Sequence, residues 1–320
     1  MKFDYLQLRT EAQYIKIDES KFDVLPKEET SHGLVVKRLS VKSRNEIKDK
    51  FDIPANRIKV SITGPYVSLG LTSKVLGKNY KELITGETIS DCLEGFVKHG
   101  VLIDIDSKAI RDEAKVTVAE ITKDLIISRL LSRRDYEIFS QAVFNPYRWT
   151  PMIWDNGFGL RKQVKEDKEL LSIYNKAQEV GMLRMKNFMD RYLPNNPYKD
   201  EKCLRAEARL LSSKSIRKHF GGNRVDDLLE HEENTLQELF KKAFIKPSSI
   251  VHKKLSKSDK KNILLAKQFN YDTKVIANYI SDKNKHNRAR MYRDVMESIM
   301  IAKIMSKDSL NVLEEIISKI

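Results

Sequence analysis

Strand-forming sequence is confined to the part of this 320-residue chain that precedes Gly222, and this limits the folds available to it. Before Gly222, short runs rich in β-branched and aromatic residues alternate with a few helical segments. Beyond Gly222, only helical periodicity remains. We therefore predict an α+β domain over residues 1–222, followed by an all-α domain over residues 223–320.

The element boundaries follow from apolar periodicity and from turn-forming glycine, proline and asparagine. The predicted strands are Lys2–Arg9, Tyr14–Ile17, Gly33–Ser40, Arg57–Thr63, Tyr66–Leu71, Val101–Ile105, Ala114–Ile127, Trp149–Trp154, Leu170–Lys176 and Leu204–Leu211. The predicted helices of the first domain are Ile89–His99, Arg133–Phe144, Gln178–Tyr192 and Ser213–Phe220. Those of the second domain are Val225–Glu232, Thr235–Phe244, Ser258–Phe269, Thr273–Tyr279, Arg288–Met305 and Ser309–Ile320.

The chain carries a formal net charge of +14, which is concentrated in its C-terminal part. Between Lys253 and Arg293 there are 12 lysines and arginines against 3 aspartates. A localised positive surface of this kind suits a polyanion, most often nucleic acid, because binding releases counterions. The alternative is an ordinary solvated helical surface.

Several classes of protein are disfavoured by features that the sequence lacks. No apolar run approaches the roughly 18 residues of a membrane-spanning helix, and the N-terminus has no signal-peptide core. Cys92 and Cys203 are too few for a disulfide framework, so we expect a soluble, cytoplasmic protein. A glycine-rich phosphate loop, a dinucleotide fingerprint and a His-Glu-x-x-His helix are absent. Histidines two residues apart are also absent, which counts against a histidine-based nickase.

Tyr174 and Lys176 lie in a predicted strand, where side chains two residues apart share a face. A tyrosine can attack phosphorus when a base or a cation stabilises its phenolate, since a free phenol has a pKa of about 10. Lys176 could stabilise the phenolate or a phosphate. An ordinary structural role in the sheet is the alternative for both residues.

Two glutamates, Glu120 and Glu207, lie in predicted strands among apolar residues, where a lone carboxylate is costly to bury. Glu120 could form an ion pair with a lysine, or it could be one ligand of a hard cation such as Mg²⁺ or Mn²⁺. Glu207 stands between Arg205 and Arg209, whose guanidinium groups could pair with neighbouring acids on the same face. A structural role is therefore an open alternative for Glu207.

The segment Asn262–Tyr279 has helix–turn–helix character, with a turn expected at Asn270-Tyr271-Asp272. The helix that follows carries Arg288, Arg290 and Arg293. A DNA-recognition element and a plain helical bundle both fit this pattern.

The segment Leu170–Gly222 combines two motifs in a fixed order. A strand with Tyr-x-Lys and a glutamate shortly after it, Tyr174-Asn175-Lys176 and Glu179, precedes a strand of the form Leu-x-x-Glu-Ala-Arg, Leu204–Arg209. A basic helix that ends in Phe220-Gly221 comes next. In motifs, order and spacing, this segment resembles the filamentous-phage gene II type replication initiators and related rolling-circle initiators.

Two upstream segments extend the resemblance to about residues 60–222. Val116–Asp124 resembles the family's strand of Arg-Ile-Asp type, which places Glu120 on its acidic position. The segment Thr72–Asn79 is similar to the family's Ser-Pro-x-Lys-x-Leu-x-Gly-His-Asn stretch. Lys78 stands where the family often has histidine, and the strand before Thr72 lacks the carboxylate often seen there.

The resemblance implies the antiparallel-sheet fold of rolling-circle initiators, an HUH-like nuclease fold, for the first domain. Tyr174 falls on the family's nucleophilic tyrosine, and Glu120 and Glu207 fall on acidic positions that would bind Mg²⁺ or Mn²⁺. Lys176 would support the phenolate. The implied reaction is the nicking and religation of origin DNA through a 5′-phosphotyrosyl intermediate, which leaves a free 3′-hydroxyl as a primer.

The implied partner is the origin DNA of a phage or plasmid in a bacterial host, unpaired or hairpin at the nick and duplex where it is recruited. A host helicase and polymerase would be further partners. DNA contacts are expected from Lys74, Lys78, Arg205, Arg209, Arg217, Lys218, Lys260, Lys261, Arg288, Arg290 and Arg293. Two alternatives stay open: a non-catalytic DNA-binding replication or transcription regulator with the same fold, and a plasmid-mobilisation relaxase.

Overall fold

The protein is of mixed α and β structure, with extensive antiparallel pairing and a helical C-terminal part, as predicted. The computed structural model describes residues 1–18, 20, 22–24, 28–29, 35–41, 59–98, 102–144, 148–162, 168–245, 256–283, 286–302 and 307–320. Among these residues, no helix combines the length and the apolar character needed to cross a membrane.

The elements alternate up to residue 220 and are all helical after it, within the described residues. The strands are β1 (Phe3–Glu11), β2 (Ile15–Ile17), β3 (Phe22–Val24), β4 (Glu28–Glu29), β5 (Val35–Val41), β6 (Lys59–Thr63), β7 (Tyr66–Thr72), β8 (Leu102–Ile105), β9 (Lys115–Ile126), β10 (Trp149–Trp154), β11 (Gly157–Lys162), β12 (Glu169–Asn175) and β13 (Cys203–Leu210). The helices are α1 (Ile89–Lys98), α2 (Ser107–Glu113), α3 (Arg133–Gln141), α4 (Lys176–Gly181), α5 (Leu183–Tyr192), α6 (Ser213–Phe220), α7 (Val225–Leu229), α8 (Thr235–Ala243), α9 (Lys257–Gln268), α10 (Thr273–Lys283), α11 (Arg288–Ala302) and α12 (Lys307–Lys319). Two 3₁₀ segments, Ala12–Tyr14 and Ser73–Glu82, complete the described elements.

Most elements lie where the periodicity predicts them, but strands β3, β4 and β11 and helix α2 were not predicted, and one predicted helix is broken. Strand β11 was missed because its two glycines and terminal charges hide its strand character. It pairs with β10 through a tight turn, with Trp154 opposite Gly157. The single helix predicted over Gln178–Tyr192 is broken at Met182, whose backbone is extended. The ends of predicted elements at Gly33, Arg57, His99, Val101 and Met305 lie outside the described residues.

The chain packs into two compact units, and their boundary falls inside strands β9 and β13. Unit 1 comprises Met1–Thr122, Glu179–Pro197 and Ala208–Asn234. Unit 2 comprises Lys123–Gln178, Tyr198–Glu207 and Thr235–Ile320. Each unit is made of three segments that are separate in the sequence, whereas each predicted domain is one continuous segment. The division of the chain near residues 221–224 into two functional domains stays a prediction.

Unit 1 is built on a sheet in which β9, β1, β7, β6, β5 and β3 are neighbours in that order. Strand β1 pairs antiparallel with both β7 and β9. Apolar residues of β1 and β7 are fully buried, and Phe3 contacts Phe220 of α6 with ring centroids 6.2 Å apart. Each buried phenylalanine or leucine stabilises the fold by about 1.5–3 kcal/mol relative to exposure.

Unit 2 is built on the order β10, β11, β12, β13 and β9, with helix α3 packed on the β10–β11 hairpin. Phe139 of α3 meets Phe158 of β11 edge-on at 6.4 Å. The C-terminal helix α12 is attached to the end of β9, since the Lys319 ammonium donates to the Ile126 carbonyl at 2.8 Å. The backbone nitrogen of Ser128 also donates to the Glu315 carboxylate, at 2.9 Å.

A buried carboxylate, Asp135, joins the start of α3 to α12. It closes a capping box with Ser132, accepts two hydrogen bonds from Arg129, and accepts one from the Ser309 hydroxyl. Burial alone would raise the pKa of Asp135, but these hydrogen bonds hold it well below the usual value for aspartate. Because the pKa of Asp135 is lower in the folded than in the unfolded protein, the ionised carboxylate stabilises the fold above the unfolded pKa of about 3.9. This stabilisation is lost as the pH falls toward the folded-state pKa.

We predict that Asp135→Ala destabilises the protein by about 2–4 kcal/mol, because it removes a cap and leaves Arg129 without its buried partner. Urea unfolding followed by tryptophan fluorescence measures this, since Trp149 and Trp154 both lie in unit 2. Stability of the parent protein should fall more steeply than that of the variant below about pH 4. Asp155→Ala, at an exposed turn, is the matched control and should leave the unfolding midpoint unchanged; equal effects of the two substitutions would contradict the assignment.

Candidate active site

Tyr174 lies on β12, one residue before the strand ends at Asn175. Gly157 of β11 is its partner in the antiparallel register. A Cβ atom at position 157 would lie 2.7 Å from the Tyr174 Cβ and 2.3 Å from the Trp154 indole nitrogen. Glycine is therefore required there, and it allows β11 to approach β12 closely beside the half-buried tyrosine.

The Tyr174 hydroxyl donates a hydrogen bond of 2.6 Å to Oε1 of Glu207, a residue of the same unit. Glu207 is only 4% exposed, and its Oε2 also accepts from the Ser172 hydroxyl at 3.4 Å. Distances of about 2.5–2.7 Å are typical of a hydroxyl bound to a carboxylate. A carboxylate in this position can accept the phenolic proton when the tyrosine oxygen attacks an electrophile.

Lys176 does not share the face of Tyr174 on a strand, so this part of the sequence interpretation was wrong. The Asn175 side chain accepts a hydrogen bond from the Gln178 backbone nitrogen at 2.8 Å and so caps helix α4. Lys176 is consequently the first residue of that helix. Its buried ammonium lies 5.5 Å from the centroid of the Tyr198 ring. Support of a phenolate by Lys176 stays a prediction.

The two arginines that flank Glu207 on β13 are each paired with an acid of β9. In unit 2, Arg205 donates to both carboxylate oxygens of Asp124, at 2.6 and 2.9 Å. In unit 1, Arg209 Nε lies 2.5 Å from Glu120 Oε2. These ion pairs are the structural role that the sequence left open for the two arginines.

Arg205 is not placed to contact DNA, contrary to the sequence interpretation. Its side chain is fully buried, and its guanidinium is held by Asp124 and by the Tyr198 hydroxyl at 3.4 Å. The contact with Asp124 of β9 holds the guanidinium away from solvent. Arg209 is partly exposed, which keeps it among the predicted DNA contacts.

In unit 1, Glu120 lies beside a second carboxylate, that of Asp4, which the sequence interpretation missed. Ligand-capable oxygens of the two residues lie within 4.8 Å of one another. The pairing of β1 with β9 slips by one residue between Phe3 and Tyr5, so Asp4 is an extra residue of β1. Such a bulge re-aims a side chain. The sequence signal was the broken alternation at Tyr5-Leu6, two buried residues in succession.

Asp4 and Glu120 fit a hard divalent cation such as Mg²⁺ or Mn²⁺. Mg²⁺ is commonly held by one or two carboxylates and keeps several waters, so two acids are sufficient. The Ser73 hydroxyl donates to Asp4 Oδ1, which orients that carboxylate. Arg209 pairs with Oε2 of Glu120 and so offsets part of the negative charge of the two acids. Metal binding by Glu207 stays a prediction.

The remaining basic residues predicted to bind DNA lie in different parts of the chain. Lys78 is exposed and lines a cavity of about 1050 Å³ in unit 1, together with Asn79, Lys98 and Arg191. The Lys74 ammonium lies 5.4 Å from the centroid of the Phe188 ring. Exposed positions are also occupied by Arg217, Lys218, Lys260, Lys261, Arg288 and Arg290, whereas Arg293 is partly buried.

Neither cysteine offers an alternative nucleophile in this region. Burial raises the pKa of the Cys203 thiol to about 11 and that of the Cys92 thiol to about 12. Both thiols are therefore neutral at physiological pH, and a neutral thiol is a poor nucleophile. Tyr174 is the candidate nucleophile because the sequence motif selects it and its hydroxyl donates to the buried carboxylate of Glu207. The Tyr14 hydroxyl also donates to a carboxylate, that of Glu113, but this contact is exposed.

Comparisons with known proteins yield one structural likeness. No protein-family model matches the sequence, and no curated protein matches it significantly. The solved structure of a rolling circle replication initiator protein from Geobacillus stearothermophilus is similar over 75% of this chain and 84% of that chain, with 10% sequence identity and a TM-score of 0.37.

Proposed function

We propose that this protein nicks and rejoins DNA through Tyr174, as an initiator of rolling-circle replication. The observation that carries the proposal is the 2.6 Å hydrogen bond from the Tyr174 hydroxyl to Glu207, a buried carboxylate at the atom that would react. The motifs of Leu170–Gly222, which resemble those of gene II type initiators, support the same residue as the nucleophile.

The first step is attack by the Tyr174 oxygen on a backbone phosphorus. Glu207 accepts the phenolic proton as the new bond forms, and the bond from phosphorus to the 3′-oxygen breaks. The departing 3′-oxygen takes a proton from solvent, so the products are a 5′-phosphotyrosyl link and a free 3′-hydroxyl. Rejoining is the reverse: the 3′-hydroxyl attacks phosphorus and loses its proton to solvent. The bond from phosphorus to the tyrosine oxygen breaks, and protonated Glu207 returns its proton to that oxygen.

Asp4 and Glu120 would hold a divalent cation, with Arg209 limiting the negative charge of the pair. When bound, Mg²⁺ or Mn²⁺ would polarise the phosphate and stabilise the charge that develops on its oxygens. We also propose Glu207 as a further ligand, on the basis of the sequence resemblance. The chain's own contribution is to fix these carboxylates on adjacent strands before DNA arrives.

The substrate we propose is origin DNA that is unpaired or in a hairpin at the nick, because base pairing would hold the scissile phosphate in the geometry of the double helix. Duplex DNA would be recruited by the basic C-terminal helices, with a host helicase and polymerase acting afterwards on the free 3′-end. Lys74, Lys78, Arg209, Arg217 and Lys218 are the proposed contacts outside those helices.

Tyr174→Phe should abolish nicking of supercoiled origin DNA and the covalent protein–DNA adduct, because it removes the attacking oxygen. The measurement is conversion of supercoiled to open circular DNA in the presence of Mg²⁺ or Mn²⁺, with the adduct followed by denaturing electrophoresis. Tyr66→Phe, at an exposed tyrosine of β7, is the matched control and should be fully active. Unchanged nicking by Tyr174→Phe would end the assignment. If the parent protein itself neither nicked the DNA nor formed an adduct, a non-catalytic DNA-binding regulator would be favoured.

Glu207→Gln should lower the rate of nicking by about 10²–10⁴-fold, because the amide accepts the same hydrogen bond but not the proton. Activity of the variant should rise between about pH 7 and pH 10, where an unassisted phenol begins to ionise. Single-turnover cleavage rates across this range give the measurement. Ser172→Ala removes the weaker contact to the same carboxylate and should change the rate little; equal losses in both variants would point to a packing role.

Asp4→Asn should raise the concentration of Mg²⁺ or Mn²⁺ needed for half-maximal cleavage, because it removes one of two carboxylates. Metal titration of the cleavage rate measures this shift. Binding of Mn²⁺ in the absence of DNA, followed by electron paramagnetic resonance, gives a readout independent of activity. Glu11→Gln, at an exposed acid of the same strand, is the control; equal metal affinity in the two variants would exclude the site.

A plasmid-mobilisation relaxase would use the same chemistry and differ in the use of the free 3′-end. The discriminating assay is DNA synthesis: an initiator primes replication from the nick in the presence of a polymerase and helicase. A relaxase transfers the covalently bound strand without such synthesis.

A further inference from the structure

Helices α9 and α10 form a helix–turn–helix pair whose turn is fixed by backbone geometry. Asn270 and Tyr271 adopt left-handed φ angles of 50° and 58°, which reverse the chain after α9. The Tyr271 backbone nitrogen donates to the Ala266 carbonyl at 2.9 Å, closing the end of α9. The Asp272 carboxylate accepts from the backbone nitrogens of Lys274 and Val275, at 2.9 and 3.1 Å, and caps α10.

Helix α11 supports this pair and determines which face of α10 is left outside. Ile276, Ala277 and Ile280 of α10 are buried. The opposite stripe, at positions i, i+3 and i+4, is exposed and consists of Val275, Asn278 and Tyr279. Val275 is 43% exposed and Tyr279 is 37% exposed, which is unusual for an apolar face that serves packing alone.

Exposed lysines outnumber exposed acids on this helix pair, where Asp272 and Asp282 are the exposed acids and Asp259 is not exposed. Asp259 is buried, where it accepts from the Ser256 and Ser298 hydroxyls at 2.6 and 2.7 Å. Asp272 is used to cap α10. The exposed stripe of α9 carries Lys257, Lys260, Lys261 and Lys267, and the start of α11 adds Arg288 and Arg290. The exposed surface of the pair therefore carries a net positive charge.

We propose that α10 enters the major groove of duplex DNA and reads base edges with Val275 and Asn278. An asparagine amide can bond adenine bidentately, and a valine methyl suits the methyl group of thymine. Lys260 and Lys261, on the helix before the turn, contact backbone phosphates, as the first helix of such a pair does. The positive charge around the stripe favours duplex DNA over an apolar protein partner as the occupant.

This inference rests on the proposed function only in taking DNA as the partner, and it adds that the duplex is recognised by sequence. The two fail separately, because duplex selection needs neither Tyr174 nor a divalent cation. A chain that selects a duplex sequence but does not nick would retain this inference and lose the proposed function.

The test is selection of a preferred sequence by the full-length chain from a pool of short random duplexes, in the presence of a chelator. We expect one sequence to be enriched. Asn278→Ala should reduce the preference for that sequence over random duplex by about 5- to 150-fold, the range expected for one bidentate base contact. Val275→Ala should relax the preference at a neighbouring position.

Lys260→Gln/Lys261→Gln should weaken binding to selected and random duplexes alike. The slope of log affinity against log salt concentration should fall by about 1.8, or about 0.9 for each phosphate contact. Lys108→Gln/Lys115→Gln, at two exposed lysines of unit 1, removes the same charge and should leave the slope unchanged. Circular dichroism checks that all variants fold.

Three outcomes would overturn the proposal. The first is that no duplex sequence is enriched, and the second is that Asn278→Ala and Val275→Ala keep the parental preference. The third is that the lysine pair leaves duplex affinity and its salt dependence unchanged, which would assign the exposed stripe to a protein partner.

Discussion

A carboxylate buried in a sheet must be compensated, and the way in which Glu207 is compensated organises this site. Burying an ionised group without a partner costs several kcal/mol. Arg205 and Arg209, its neighbours on the same face of β13, are engaged by Asp124 and Glu120. The hydroxyls of Tyr174 and Ser172 donate to Glu207. In the mechanism that we propose, the hydrogen bond from Tyr174 helps to compensate the buried acid and also places the phenolic proton beside its acceptor.

The sheet surroundings give this hydrogen bond its geometry. Gly157 allows β11 to lie close to Tyr174, and Asn175 ends β12 by capping the following helix. The phenol thus projects from a strand that is fixed on one side by a glycine contact and at its end by a cap. Rigid elements of this kind hold reacting groups more closely than loops do.

Local features of the sequence were sufficient to predict most of the elements and to select the candidate nucleophile. Alternation of apolar residues placed β9, β12 and β13, and the order of two short motifs selected Tyr174 and Glu207. Three assignments needed information that periodicity does not contain. The helical position of Lys176 depends on a side-chain cap, the burial of Arg205 depends on a partner 81 residues away, and Asp4 depends on a bulge in β1. Each is set by a contact between elements rather than by spacing within one.

The claim that Tyr174 becomes covalently joined to DNA can be tested directly by mass spectrometry. The protein is incubated with single-stranded origin DNA and a divalent cation, denatured, and digested with nuclease and protease. We expect a nucleotide or phosphate adduct on the peptide that contains Tyr174, with the modification localised to that residue by fragmentation. An adduct on another tyrosine, or cleavage of the DNA with no adduct on the protein, would contradict the account.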